Sequence, residues 1–238
     1  MDLAIILDNI DYYFQGLKTT LVLVSFSLLL GLIIAIPCAI LRTVKSYAIQ
    51  APIRAYVYFF RGTPLLVQMY IIYYGFGQFE AIKASFIWPF FKEAWFCALF
   101  AFTLNTGAYT TEILRGAIEA TPHGEVEAAK AAGMSRLLML RRIVLPSAFR
   151  RALPQYSNEI IFMLHGSSLA SVITIVDITG AARIINSRFY SPYEAFLTAA
   201  VFYMSLTFIT VFLLKKLEFR WFAHLRPQAL SKPKTKVS

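Results

Sequence analysis

"EAAKAAGMSRLLMLRRIVLP", residues 127–146, lies between long apolar stretches and yet carries a charged residue every few positions. Upstream of it Thr121 is placed to cap a helix, Pro122 suits the first turn, and Glu125 and Glu127 fall toward the positive end. Gly133 can end that helix in the left-handed conformation, giving about eleven residues of helix. Ser135 caps a second helix, which should stop before Pro146 because proline disfavours helical geometry in the residue before it. Ala128, Ala129, Ala131 and Ala132 leave the first helix with almost no side-chain bulk, so another backbone or an aromatic ring can approach closely. Alanine also favours helix by itself, and on composition alone the segment reads as an ordinary cytoplasmic loop.

The rest of the chain explains why a soluble-looking helical pair is notable here. Of 238 residues, 58% are hydrophobic and 15% charged, and mean hydropathy is +0.61. That is more apolar surface than one globular core of this length buries, so the chain belongs in a membrane. Uncharged runs extend from Thr19 to Leu41, Gly62 to Phe79, Ala94 to Thr111, Ile160 to Val176 and Ala195 to Leu214. At about 1.5 Å per residue, runs of roughly 17 to 23 residues match a hydrocarbon layer of about 30 Å. An all-α membrane protein of five transmembrane helices follows. The leader "MDLAIILDNIDYYFQ" carries three Asp and no Lys or Arg, which argues against a cleaved signal.

Charge sets the orientation. With the N-terminus outside, the inner segments collect 17 of the basic residues and the outer ones five, with Arg115 near a helix end. The positive-inside rule then gives N-out, C-in. The net charge of +10 is a topology signal and gives no footprint for nucleic acid, since the basic residues flank spans and line no single face. Cys38 and Cys97 fall inside apolar spans as free thiols, and His123, His165 and His224 have no second ligand at metal spacing. Neither set supplies a nucleophile or a metal centre for catalysis. The tail "RPQALSKPKTKVS" reads as a basic end near anionic lipid.

The pattern E-A-A, three residues, G, nine residues, I, one residue, L-P is met by Glu127, Ala128, Ala129, Gly133, Ile143, Leu145 and Pro146. It matches the EAA signature of the permease subunits of ABC importers. "RGTPLLVQ" at 61–68, "LNTGAYTTEILRGAIEATPHGEVEAA" from Leu104 and "LPSAFRRALPQYSNEIIFMLHGSSLA" from Leu145 resemble the branch that imports polar amino acids. Within it the likeness is greatest to the M-type subunits of histidine, lysine/arginine/ornithine and octopine systems. The resemblance implies a five-span MetI-like fold in the bacterial inner membrane, with the EAA helix inserted into a cleft of a cytoplasmic ATPase. It also implies a periplasmic binding protein and a second, related permease subunit, a heterodimer in preference to a homodimer. Glu127, Ala128, Ala129 and Gly133 become the ATPase-coupling residues. The sequence has no G-x-x-x-x-G-K-[ST] phosphate loop, so ATP and magnesium fall to the partner and this chain is not itself an enzyme. The expected divisions are a periplasmic segment 1–17, a transmembrane permease domain 18–218 with its coupling segment at 119–150, and a cytoplasmic basic tail 219–238.

Ionisable residues inside a membrane are functional candidates by default. Glu112 and Arg115 share a helix face at i, i+3 and read as a structural ion pair. Glu159 lies about 12 Å inside the layer from Arg151, with no basic residue in the next four positions. Asn105, at about 18 Å from the outer rim, and Gln68, at about 10 Å from the inner one, fall at comparable depth. A carboxylate there favours a cation, and the amides of Asn105, Asn158 and Gln68 can orient an amino-acid backbone. The same groups also suit interhelical polar bonding without any ligand. His165, in "HGSSLAS", is a second-rank candidate, and no residue is assigned to a metal. A proton-coupled carrier acting alone is the rival function, though it leaves the coupling segment without a purpose.

Overall fold

In the computed structural model the described residues are 3–221. They form helices α1 (Leu3–Asp8), α2 (Ile10–Arg42), α3 (Tyr47–Gly62), α4 (Leu65–Tyr70), α5 (Glu80–Lys83), α6 (Trp88–Phe91), α7 (Ala94–Glu119), α8 (His123–Ala131), α9 (Arg136–Met139), α10 (Leu145–Gly166), α11 (Ile178–Phe189) and α12 (Pro192–Trp221), and no strand among the described residues. Most of the basic tail, and His224 with it, lies outside the described residues.

The frame is α2 against α7, crossing at two glycines. A Cβ built on Gly31 would lie 2.5 Å from the Thr106 methyl, and one on Gly107 would lie 2.8 Å from the Tyr56 hydroxyl. Where lipid replaces water, such close backbone approach does much of the work of holding helices together. The buried face of α2 runs through Gly16, Thr20, Ser27, Gly31, Ala35 and Ala39, small residues at near-helical spacing. Toward the coupling segment, Ala35 and Ala39 of α2 meet Leu114 and Ala117 of α7 and Ala148 and Ala152 of α10 in one compact cluster.

At the opposite end Tyr13 donates to the Ala195 carbonyl at 2.7 Å, pinning α2 to α12. Asp177 is fully buried there. Its carboxylate accepts from the Gly180 amide at 2.8 Å, capping α11, and from the Tyr203 hydroxyl at 2.8 Å.

By length and hydropathy two helices suffice to cross a bilayer alone, α2 and α12, while 136–173 and 178–189 form a pair bent by 43°. Two of the five expected apolar runs are not single α-helices. The run from Gly62 passes from α4 into a π turn, Ile71–Gly75, and a 3₁₀ turn, Phe76–Gln78. The run from Ile160 leaves α10 for a 3₁₀ segment, Ser167–Ile173, and ends on Thr174 at φ 73°. Serine chemistry accounts for that change of pitch. The hydroxyls of Ser167, Ser168 and Ser171 donate to carbonyls three residues back, Leu164, His165 and Ser168, which tightens the turn.

Candidate functional site

The coupling segment carries the turn that its sequence demands. Gly133 sits at φ +74°, its amide donates to the Lys130 carbonyl at 2.9 Å, and the Met134 amide reaches back to Ala129 at 3.1 Å. This paired bonding is a Schellman close, and it needs the left-handed residue where glycine stands. Ser135 accepts from the Leu138 amide at 3.4 Å and starts α9. Glu127 and Ala128 are exposed whereas Ala129 is buried, so the small side chain at 129 serves contact within the chain. Ala129 lines a groove with Met134, Arg142, Ile143 and Pro146.

Two details differ from the sequence reading. Thr121 does not cap α8; its hydroxyl donates to the Ile118 carbonyl at 2.7 Å and accepts from Arg151, and Pro122 occupies the cap position. Nor does the second helix stop before Pro146. The chain runs from α9 through a π turn, Leu140–Val144, directly into α10, with Pro146 in its first turn. The wider turn accommodates the residue that lacks an N–H and would otherwise press on the preceding turn.

Arg151, which sequence patterning did not single out, ties the segment to the helices. Its guanidinium donates to the Ala117 carbonyl at 3.2 and 3.1 Å, to the Thr121 hydroxyl at 2.7 Å and to the Ser147 hydroxyl at 2.6 Å. One side chain on α10 therefore holds the end of α7 and the entry to α8.

Above this lies a cavity of about 790 Å³ whose lining includes Arg61, Asn105, Tyr109, Gln155, Asn158 and Glu159. Asn105 and Glu159 are buried, at 6% and 7% exposure. The Thr106 hydroxyl and the Arg61 guanidinium are polar neighbours of the Glu159 carboxylate. Arg61 also lies over the Tyr109 ring, 5.2 Å from its centroid. Glu159 is thus not isolated from positive charge, as its own helix suggested; the cation comes from α3.

Gln68 lies behind the cavity. Its amide nitrogen donates to the Phe60 carbonyl at 2.9 Å and to the Thr63 carbonyl and hydroxyl at 3.0 and 2.8 Å, and its oxygen accepts from Asn105 at 3.0 Å. It locks the α3–α4 turn and orients Asn105. His165 lies apart on α10, its ring nitrogen 3.0 Å from the Thr207 hydroxyl of α12. Glu112 and Arg115 form the expected pair at 2.9 Å, and Glu112 has a second partner in Arg42 at 2.9 Å. Arg115 also meets Glu119.

A helical frame built on small-residue crossings, an exposed coupling helix closed by a left-handed glycine and a polar cavity within the bundle define a membrane transport subunit. Residues 27–223 match the family described as "Binding-protein-dependent transport system inner membrane component", and the chain belongs to that family. It is 44% identical over 227 residues to the nopaline transport system permease protein NocM of Agrobacterium fabrum, covering 95% of this chain and 94% of that one. With the histidine/lysine/arginine/ornithine transport system permease protein HisM of Escherichia coli K12 the identity is 45% over 219 residues, covering 92% of each. Among solved structures it resembles one described as an amino acid ABC transporter with histidines, at 30% identity and a TM-score of 0.82, over 92% of this chain and 99% of that one. The chain is therefore an all-α inner-membrane permease component with a MetI-like fold, and the ATP-driven importer reading stands over that of a carrier acting alone. ATP hydrolysis belongs to separate subunits.

Proposed function

We propose that this chain passes a basic amino acid or an opine inward through the cavity that contains Glu159. The co-lining of that cavity by the buried Glu159 carboxylate, the amides of Asn105, Gln155 and Asn158, and Arg61 carries the reading. An amino acid presents a cationic ammonium, an anionic carboxylate and, in the basic class, a further cation. Glu159 offers the acceptor, Arg61 the counter-charge for a carboxylate, and Asn105 and Asn158 the neutral bonds that fix orientation. Gln68 acts by holding Asn105. His165, about 9 Å further along α10, belongs to the outer reach of the path. The solutes named for NocM and HisM agree with this class.

Five spans, with the second and fourth broken as described, place the N-terminal segment 1–17 outside, the permease domain at 18–218 and the coupling segment 119–150 with the tail 219–238 inside. Glu127, Ala128, Ala129 and Gly133 dock with a cytoplasmic ATPase that uses ATP and magnesium, and a periplasmic binding protein delivers solute. A second, related permease subunit closes the pathway. ATP binding draws the two ATPases together, and the Arg151 contacts carry that movement from α8 to α7 and α10.

The test is uptake of labelled histidine, arginine, lysine, ornithine and octopine by the complete complex, wild type beside Glu159→Gln. Losing one charge-assisted contact should lower uptake of basic solutes about ten-fold or more while ATP hydrolysis continues. Unchanged uptake in the variant would remove Glu159 from the path and leave it as helix packing.

A further inference from the structure

Near the coupling segment, the start of α10 and the end of α12 enclose a second feature. A cavity of about 720 Å³ is lined by Arg141, Arg150 and Arg220, with Leu145, Phe149 and Trp221 among its apolar walls. All three arginines are exposed, and none has an ion-pair partner among the described residues. None of the three lines the polar cavity of the transport path, and Arg150 alone also lines the groove behind Ala129.

Depth identifies what such a cavity meets. Helix α12 has 30 residues, about 45 Å of length against a hydrocarbon layer of about 30 Å. Its uncharged run ends at Leu214, so Arg220 and Trp221 stand about 9 to 10 Å beyond it, at headgroup level. Tryptophan is enriched at that level. Leu217 and Leu213, four and eight positions before Trp221, are 38% and 58% exposed and lie on the same helix face. An apolar track thus leads from a tri-arginine cavity back into the hydrocarbon.

We propose that this cavity binds the phosphate headgroup of an anionic phospholipid, with an acyl chain laid along Leu217 and Leu213. A soluble anion would satisfy the guanidinium groups but leave the apolar walls and the track uncovered. A phospholipid matches both, and arginine in particular bonds phosphate oxygens in pairs.

The experiment uses the complete transporter in proteoliposomes carrying a photoactivatable phosphatidylglycerol or a phosphatidylcholine with the same acyl chains. Crosslinked peptides of this chain are mapped and counted. Phosphatidylglycerol should label the peptides around 141–150 and 213–221 several-fold more than phosphatidylcholine. Arg220→Gln should lower that labelling about five-fold, the share of one basic residue at a membrane surface. Arg220→Lys should keep most of it, and replacing all three arginines by Gln should reduce it to the phosphatidylcholine level. Should the triple variant fail to assemble with its ATPase, the two Arg220 variants decide the matter alone. Equal labelling by the two lipids overturns the proposal, as does equal loss in the Gln and Lys variants. Competition by millimolar inorganic phosphate overturns it too, by making the cavity a site for a soluble anion.

Discussion

Gly133 shows how much one residue's backbone settles. A Cβ added there would meet no atom within 4 Å, so a substitution is penalised by conformation alone. Gly133→Ala should cost about 1 to 2 kcal/mol, Gly133→Val more, and Gly133→Asn, which tolerates the left-handed region, least. Uptake at equal membrane abundance should fall in that order, and a Val variant as active as wild type would show that the turn does not aim the coupling pair. This position was legible in the sequence because a left-handed turn is a local demand. Glu112 was legible by half. Arg115 stands three residues away, but Arg42 comes from α2 by a contact that no local spacing encodes. Likewise Glu159 was singled out by counting residues along one helix, whereas Arg61 arrives from α3 and Arg151 reaches the end of α7 and the entry to α8. Residues that act across elements leave no mark in their own neighbourhood of sequence.

Among the elements, apolar runs were readable and their breaks were not. Proline at 146 was expected to end a helix; instead the chain widens into a π turn and continues as α10. The outcome depends on packing, because Val144 and Ala148 are buried on the two sides of the join and hold the rod in line. In Pro146→Ala the missing N–H is restored, and the extra residue of the π turn can be given up. A residue gained or lost in an α-helix turns everything before it by about 100°, which would swing Arg141, Arg142 and the coupling pair relative to α10. The variant should therefore keep its ATPase partner and ATP hydrolysis but lose solute uptake per ATP by several-fold. An unchanged ratio of uptake to hydrolysis would show that the π turn is not part of the coupling. The serines at 167, 168 and 171 illustrate the same limit, since their hydroxyls favour a tighter pitch that hydropathy does not register.

At the scale of the molecule, the all-helical membrane character came from composition and charge, and the importer class from the family resemblance carried by the EAA motif at 127–146 and the stretches at 61–68, 104–129 and 145–170. The cavity did not, since it exists only where α3, α7 and α10 meet. The α2–α7 crossing at Gly31 and Gly107 also bears on how the protein is made. Helix α2 emerges from the ribosome before α7, with a mean hydropathy of 2.7 over its most apolar window, enough to enter the bilayer unaided. Helix α7 is diluted by Thr103, Asn105, Thr106, Thr110 and Thr111, all buried in the finished bundle, and does not qualify as a span by length and hydropathy alone. Its admission to the lipid is thus a joint event, in which a helix already resident shelters the polar face of a later arrival. In a membrane-insertion assay α7 by itself should integrate poorly, and should integrate markedly better behind α2 than behind an unrelated span or behind α2 carrying Gly31→Leu. The glycine that lets two backbones touch thereby sets an order of assembly, so that the chain's sequence from N to C is also a timetable.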